Sequence, residues 1–348
     1  MTPTAFKAVP TPEGDPDFGV AWHYGDPHRE QRALLNGHAA IDLSHWGVIT
    51  VSGPDRLTWL HNLTTAHLEN LLPGISTTAL ILSPHGHVEH EMHIVDDAHT
   101  TWIITPPGMA DSLVSYLNSM RFMLRVEVTN RSEEFGVVWE SLREIDPSFP
   151  TWLTPAEFAG VGVTESGSDR GGTAAKYVVQ RPENYVGREV IVPKNEIAQR
   201  IATYPERAGT WALHAVRAAA AVPQLGWETD HKTLPHEIGW IGPGVHLAKG
   251  CYRGQETVAR VHNMGHPPRR LVLLHLDGSE HGLPRHGDPV QTPEGKVIGF
   301  IATPARHYEL GPIATAVIKR STPLDQELQI IHEDSIITAS QEVVLAGK

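Results

Sequence analysis

The chain of 348 residues contains a single cysteine, Cys251. An internal disulfide is therefore excluded, and one thiol is compatible with a reducing compartment. One cysteine also cannot hold an iron–sulfur cluster alone, because such clusters typically need several cysteine ligands. No run of 18 apolar residues occurs, so the sequence predicts no membrane-spanning helix.

The chain also lacks an excess of positive charge, since 28 basic and 40 acidic residues give a net charge of −12. Broad nucleic-acid binding is disfavoured, because it needs a basic face. The nearest candidate for a local basic patch is the Pro-Pro-Arg-Arg segment at 267–270. No nucleotide, flavin or metal motif is present. The N-terminus lacks the basic and apolar regions of a secretory signal, so we expect a cytoplasmic protein.

The hydrophobic pattern predicts an α+β fold with a C-terminal antiparallel β-barrel. A strand hairpin over residues 78–95 and alternating helical and strand patterns indicate an α+β layer upstream. Four short candidate strands with glycine-rich turns favour a barrel downstream; they lie at 269–276, 288–290, 296–303 and 312–319. We predict a flexible extension over 1–35, an α+β region of two subdomains over 36–260, and the barrel over 265–348.

Histidines are concentrated in the second strand of the predicted hairpin, with five between His85 and His99. Alternate residues share a face, so Glu89, Glu91 and His93 lie together. Same-face neighbours on one strand are about 6.6 Å apart, and a single strand seldom supplies a compact metal cage. We therefore predict a solvated or pocket-lining face here and no metal site.

The most distinctive segment is the octet Lys-Gly-Cys-Tyr-Arg-Gly-Gln-Glu at 249–256. Its two glycines allow a tight turn or a close backbone approach. Lys249 and Arg253 each lie two residues from Cys251 and favour its thiolate form. The alternative is that Cys251 is a small buried hydrophobic residue. The polar surroundings favour a reactive thiol.

This octet resembles the Lys-Gly-Cys-Tyr-x-Gly-Gln-Glu motif of YgfZ-type folate-binding proteins, which are relatives of the glycine cleavage T-protein, an aminomethyltransferase. The resemblance extends over roughly residues 35–345. Further matching segments are Asp42-Leu-Ser-His-Trp-Gly47, Val51-Ser-Gly-Pro-Asp55, Leu63-Thr64-Thr65 and the spacing of Arg217, Pro223, Gly226, Glu228, Pro235 and Glu237.

The resemblance implies T-protein/YgfZ-like folate-binding domains, with tetrahydrofolate or a substituted folate in a cleft between the N-terminal domains. Cys251 would be the catalytic or reactive thiol at its edge. His90 and Glu91 stand at the family's aspartate pair, and Glu91 keeps the charge. The family's Tyr-Thr-Gly-Glu element is absent, which leaves Glu183 as the candidate for its glutamate. The residues implied to bind the cofactor are Glu91, Arg217, Glu228, Lys249 and Tyr252.

Arg217 also has a second interpretation. An arginine in an alanine-rich helix either meets an anionic ligand or forms a salt bridge within its domain. The sequence leaves both open.

Three functions follow as hypotheses from the resemblance. The first is a YgfZ-type protein that supports iron–sulfur cluster assembly or repair, with iron–sulfur proteins or their assembly machinery as partners. The second is an aminomethyltransferase that transfers a one-carbon unit to tetrahydrofolate. The third is a folate-binding contact module without catalysis. We expect a monomer with no membrane or broad nucleic-acid partner.

Overall fold

The computed structural model describes residues 7–159, 177–179, 183–278 and 282–347. The composition of residues 165–172 predicts a surface loop, which lies outside these described residues. In the described part of the chain, no helix has both the length and the apolar character to cross a bilayer.

The N-terminal segment is folded where the sequence predicts a flexible extension. It forms β1 (Val9–Pro10), β2 (Ala21–His23), α1 (Pro27–Leu35) and then β3 (Ala40–Asp42). Asp17 is buried and accepts hydrogen bonds from His45 Nε2 at 2.8 Å and His214 Nε2 at 2.5 Å. Trp22 stacks on Trp211 with ring centroids 4.5 Å apart. These partners are distant in sequence, so the local Pro/Thr-rich composition gave no sign of them.

A five-stranded antiparallel sheet follows, with strand order β5-β6-β7-β4-β8. Its elements are β4 (Gly47–Ser52), α2 (Arg56–Leu63), β5 (Ser76–Leu82), β6 (Val88–Asp96), β7 (Thr100–Thr105), α3 (Ala110–Ser119) and β8 (Glu127–Asn130). The predicted hairpin is β5–β6, in which Leu80 pairs with Glu91. This register places Glu91 in the middle of the sheet rather than at an edge.

The next region builds a four-stranded sheet with order β10-β12-β9-β3, so the early strand β3 completes it. Its strands and helices are β9 (Phe135–Glu140), β10 (Thr151–Leu153), α4 (Ala156–Ala159), β11 (Tyr177–Val179), β12 (Arg188–Pro193), α5 (Lys194–Ala202), α6 (Thr210–Ala219) and α7 (Gln255–Met264). Strand β11 lies outside this sheet. A 3₁₀ turn at Pro235–Glu237 precedes the cysteine octet.

The C-terminal strands close a six-stranded antiparallel barrel, as the sequence predicts. They are β13 (Arg269–Leu276), β14 (Pro289–Gln291), β15 (Val297–His307), β16 (Gly311–Lys319), β17 (Leu328–His332) and β18 (Ser335–Val343). The last strand, β19 (Leu345–Gly347), pairs with β11. On β13, Val272 and Leu274 join the barrel core, whereas Leu271 and Leu273 join the main core with α6 and both sheets. The alternation of β13 therefore fixes the barrel against the rest of the molecule.

Gly254 positions the cysteine octet against the β5–β6 turn. Its φ of +82° lies in the left-handed region, and it is the N-cap residue of α7. A Cβ at this position would lie 2.6 Å from the carbonyl oxygen of Ser83. Only glycine meets both demands without strain. The octet and the start of β6 are consequently neighbours.

Gly254→Ala should lower the free energy of unfolding by about 1–3 kcal/mol, because it adds backbone strain and a steric clash. Gly250→Ala is the matched control in the same octet, since a Cβ there meets nothing within 4 Å. It should change stability by less than about 0.5 kcal/mol. Urea unfolding measures both variants. Equal losses would contradict the close approach described for Gly254.

Candidate functional site

The candidate site is a small cavity where the five-stranded and four-stranded sheets meet. β6 contributes Glu91 and His93 to it, and β12 contributes Glu189. The cavity has a volume of about 30 Å³. Its aromatic walls are Trp46, Trp139, Trp152, Phe158, Tyr185 and Trp240. The strand face predicted to be solvated or pocket-lining therefore lines a buried pocket over Glu91 and His93.

His93 bridges the two carboxylates across the cavity. Its Nδ1 lies 2.7 Å from Glu189 Oε2, and its Nε2 lies 3.2 Å from Glu91 Oε1. The imidazole stacks on Trp152 with centroids 3.8 Å apart and planes 5° apart. Burial lowers the pKa of His93, but the two carboxylates outweigh burial and raise it to about 10. The ring is therefore an imidazolium at neutral pH.

Glu91, a predicted folate contact, has both of its oxygens engaged. Oε1 faces His93, and Oε2 accepts a hydrogen bond from the backbone N–H of Leu225 at 2.7 Å. Glu91 is 3% exposed, so only these contacts offset the cost of burying its charge. Leu225 follows α6, and this bond ties that loop to the centre of β6.

Arg217 and Glu228, two further predicted contacts, form a buried ion pair. Arg217 Nη1 donates to Glu228 Oε2 at 2.7 Å, and Nη2 donates to Thr303 Oγ1 at 2.5 Å. The other oxygen of Glu228 accepts hydrogen bonds from Thr303 and Thr315 of the barrel. Arg217 also lines the cavity. Glu228 does not line it and is the ion-pair partner of Arg217. The structure thus contains the salt bridge that the sequence left open.

The predicted residues Lys249 and Tyr252 pack beneath the cysteine loop. Lys249 Nζ donates to the carbonyl oxygens of Thr64, at 2.6 Å, and of His61 at the end of α2. Burial lowers the pKa of Lys249 to about 8. Tyr252 is buried with its ring centroid 5.3 Å from Lys249 Nζ, and burial raises its pKa to about 12. Both residues therefore fix the loop rather than face the cavity.

Cys251 is exposed on this loop, so the alternative of a buried packing residue is wrong. Arg253 turns towards β6, where its Nη1 donates to Glu89 Oε2 at 3.0 Å. The register between β5 and β6 shifts at Glu89, so its alternation with Glu91 and His93 ends there. Arg253 also lies over the ring of Tyr116, which His90 contacts on the face of β6 opposite the cavity. Strand β6 therefore connects the cysteine loop, on the side of His90, to the cavity on the side of His93.

The remaining sequence candidates lie elsewhere. His90 points to the opposite face of β6, with its ring centroid 5.9 Å from that of Tyr116, and burial lowers its pKa to about 4. Glu183 is exposed and does not line the cavity. Among the residues that the structure describes, no group of His, Cys, Asp and Glu is arranged to hold a metal ion.

The basic segment at 267–270 does not present free arginines. Arg269 binds Asp230 and Glu237, both at 2.7 Å. Arg270 donates to the carbonyl oxygens of Arg320 and Thr322 and to Gln341. Both arginines are therefore engaged in contacts within the protein.

Sequence reasoning did not select His93, Glu189 or Trp152. His93 shares the strand face of Glu91, which was a usable signal. Glu189 lies near the start of β12, and only the tertiary structure brings it within reach of β6. Trp152 lies in a short strand that carried no motif.

Residues 14–139 match a family model described as the GCVT N-terminal domain. An aminomethyltransferase of Herpetosiphon aurantiacus is 26% identical over 338 residues, which are 89% of this chain and 87% of that protein. A putative chloroplastic transferase of Arabidopsis thaliana is 26% identical over 309 residues, 82% of this chain and 66% of that protein. A mitochondrial homolog of iron–sulfur cluster assembly factor IBA57 from Chaetomium globosum is 25% identical over 263 residues.

This chain spans 57% of the length of that assembly-factor homolog, and 69% of this chain is matched. The solved structure of the glycine cleavage system aminomethyltransferase T from Bartonella henselae superposes with a TM-score of 0.71. The alignment covers 96% of this chain and 92% of that one at 17% identity. Residues 14–139 are therefore similar to a GCVT N-terminal domain, and the chain has the fold of that structure. The predicted fold class is confirmed.

Arg217→Ala should lower the free energy of unfolding by about 3–5 kcal/mol, because it leaves the carboxylate of Glu228 buried without its cation. Arg253→Ala is the control, since its partner Glu89 is half exposed and such pairs contribute about 0–1 kcal/mol. Chemical denaturation of both variants provides the measurement. A loss for Arg217→Ala no larger than that of the control would show that the buried pair is not a structural support.

Proposed function

We propose that this protein binds tetrahydrofolate or a substituted folate at the cavity beside β6 and supports assembly or repair of iron–sulfur clusters, as its YgfZ-type octet implies. Cys251 serves as an accessible thiol at the edge of this site. The observation that carries the proposal is the shared strand: the loop of Cys251 is held on Glu89, two residues from Glu91. The cysteine loop and the cavity thus contact the same strand, β6.

The polar atoms around the cavity suit the ring of a reduced folate. Glu91 and Glu189 are acceptors for its amino and ring N–H groups, and the aromatic walls are stacking surfaces. Trp46, Thr78 and Arg217 line the cavity. Each has a buried polar atom, Nε1, Oγ1 and Nε respectively, without a hydrogen-bond partner in the described part of the chain. Buried polar atoms ordinarily have partners, so these atoms favour a polar ligand.

The cavity must widen to admit that ring. Its volume of about 30 Å³ suits about one water molecule, whereas sites for small organic ligands measure roughly 300–1,000 Å³. Folate binding is therefore coupled to a displacement of the cavity walls.

The second candidate function is aminomethyl transfer, which the names of several relatives favour. One substitution weighs against it. Where the resemblance implies an aspartate pair, this chain has His90 and Glu91, and His90 packs on the far side of the sheet by Tyr116. The site thus keeps one carboxylate of the two.

We also propose that the protein is a cytoplasmic monomer. Its partners are then iron–sulfur proteins or their assembly machinery.

Isothermal titration calorimetry with tetrahydrofolate, 5-formyltetrahydrofolate and NAD tests the folate site directly, and only the two folates should bind. Glu91→Gln should weaken folate binding about tenfold, because a buried charged acceptor is lost. Glu89→Gln is the matched control two residues away and should leave the affinity within about twofold. Equal affinities for the two variants would remove the cavity from the folate site.

Experiments on Cys251 distinguish a protein with a chemical role from a contact module. In the folded protein its exposed thiol should react with iodoacetamide, and saturating tetrahydrofolate should slow that reaction. Cys251→Ser should keep the melting temperature and the folate affinity, because serine is nearly isosteric. In cells that lack the protein, the serine variant should fail to restore iron–sulfur enzyme activity. A protein with an inert thiol whose serine variant complements fully would be a contact module instead.

A further inference from the structure

The imidazole of His93 is bound like a ligand inside its own protein. One face lies against Trp152 in a nearly parallel stack, and each nitrogen lies within hydrogen-bond distance of a carboxylate from a different sheet. His93 as a whole is 8% exposed. The slot that holds the imidazole consists of the ring of Trp152 against one face and the carboxylates of Glu91 and Glu189 at the two ring nitrogens.

A slot of this kind recognises a flat heteroaromatic ring with N–H donors on two edges. Stacking selects planarity, and the carboxylates, which accept hydrogen bonds and donate none when ionised, select N–H groups. The pterin ring of a reduced folate has an amino group and ring N–H groups of this type. His93 and a pterin therefore require the same surface.

The polar atoms beside the slot are not satisfied by His93. Trp46 Nε1 lies buried without a partner in the described part of the chain, and the Trp46 ring centroid is 6.1 Å from that of His93. Thr78 and Arg217, which also line the cavity, have buried Oγ1 and Nε atoms without a partner in the same described residues. A ring larger than imidazole, with more polar atoms, would reach groups that His93 leaves unpaired.

We propose that His93 is an internal occupant of the pterin slot, and that a folate binds by displacing the imidazole from between Glu91 and Glu189. This inference rests on the proposed function for the identity of the ligand. The alternative is that His93 is a permanent link between the two sheets.

The exchange is physically balanced. Two buried carboxylates facing one space need a cation or N–H donors between them, and His93 supplies both when no ligand is present. The displacement requires the imidazole to rotate about χ1 to another staggered position, away from Trp152. The backbone N–H of Leu225 continues to hold Glu91. The incoming ring then supplies the donors.

The test compares His93→Ala with His90→Ala, a buried histidine on the opposite face of the same strand. A ligand that needs a minor open state binds weakly in proportion to that state, which is often 0.1–10% populated. His93→Ala should therefore bind tetrahydrofolate at least about tenfold more tightly than the unchanged protein, as measured by calorimetry. His90→Ala should leave the affinity unchanged. Equal or weaker binding by His93→Ala overturns the proposal.

Free imidazole tests the slot without folate. It should raise the melting temperature of His93→Ala and leave that of His90→Ala unchanged, because it binds the folded state in the emptied slot. No rise in His93→Ala overturns the slot. If His93→Ala does not fold, the double variant His93→Ala/Glu189→Gln removes the repulsion between the two carboxylates. This double variant is compared with Glu189→Gln alone, and the same results are expected.

The two arms also separate this inference from the function beneath it. Folate binding by the unchanged protein without a gain in His93→Ala rejects the displacement alone. Absence of folate binding in both rejects the proposed function, and the displacement with it. A crystal structure of the complex gives the direct result: the pterin should stack on Trp152, and an imidazole that keeps this stack beside a bound folate overturns the proposal.

Discussion

The centre of the molecule depends on the carboxylate–imidazolium–carboxylate bridge of Glu91, His93 and Glu189. It joins β6 of the five-stranded sheet to β12 of the four-stranded sheet across an aromatic cavity. Two buried carboxylates are costly unless they are paired and hydrogen-bonded. The bridge satisfies them at the point where a polar ligand would enter. The same three side chains therefore stabilise the junction between the sheets and supply the charged groups of the cavity.

A second buried pair attaches the barrel. Arg217 of α6 and Glu228 meet Thr303 of β15 and Thr315 of β16. Motif residues that the sequence suggested for folate thus carry part of the domain packing. The two roles coexist in Arg217, which supports the barrel through its terminal nitrogens and also lines the cavity. A loss of folate binding in its variants has to be interpreted together with a loss of stability.

The cysteine loop is fixed at its base and open at its tip. Lys249 binds the carbonyl oxygens at the end of α2, Gly254 packs on the β5–β6 turn, and Arg253 pairs with Glu89. Cys251 stands exposed between them. Both basic residues that the sequence placed beside the thiol have hydrogen-bond partners of their own. The loop therefore makes the sulfur accessible mainly through the path of its backbone.

The sequence by itself determined the local elements and the family motifs. Alternation and glycine punctuation predicted the β5–β6 hairpin and the barrel, and the octet identified the exposed cysteine loop. Tertiary structure decided which of these residues meet. Asp17 joins His45 and His214 across nearly 200 residues, which folds a segment predicted to be flexible. Glu189 reaches His93 only because β12 packs beside β6. Hydrophobic periodicity reports which face of one element is buried, but not which other element covers it, and at this site that second element supplies half of the charge.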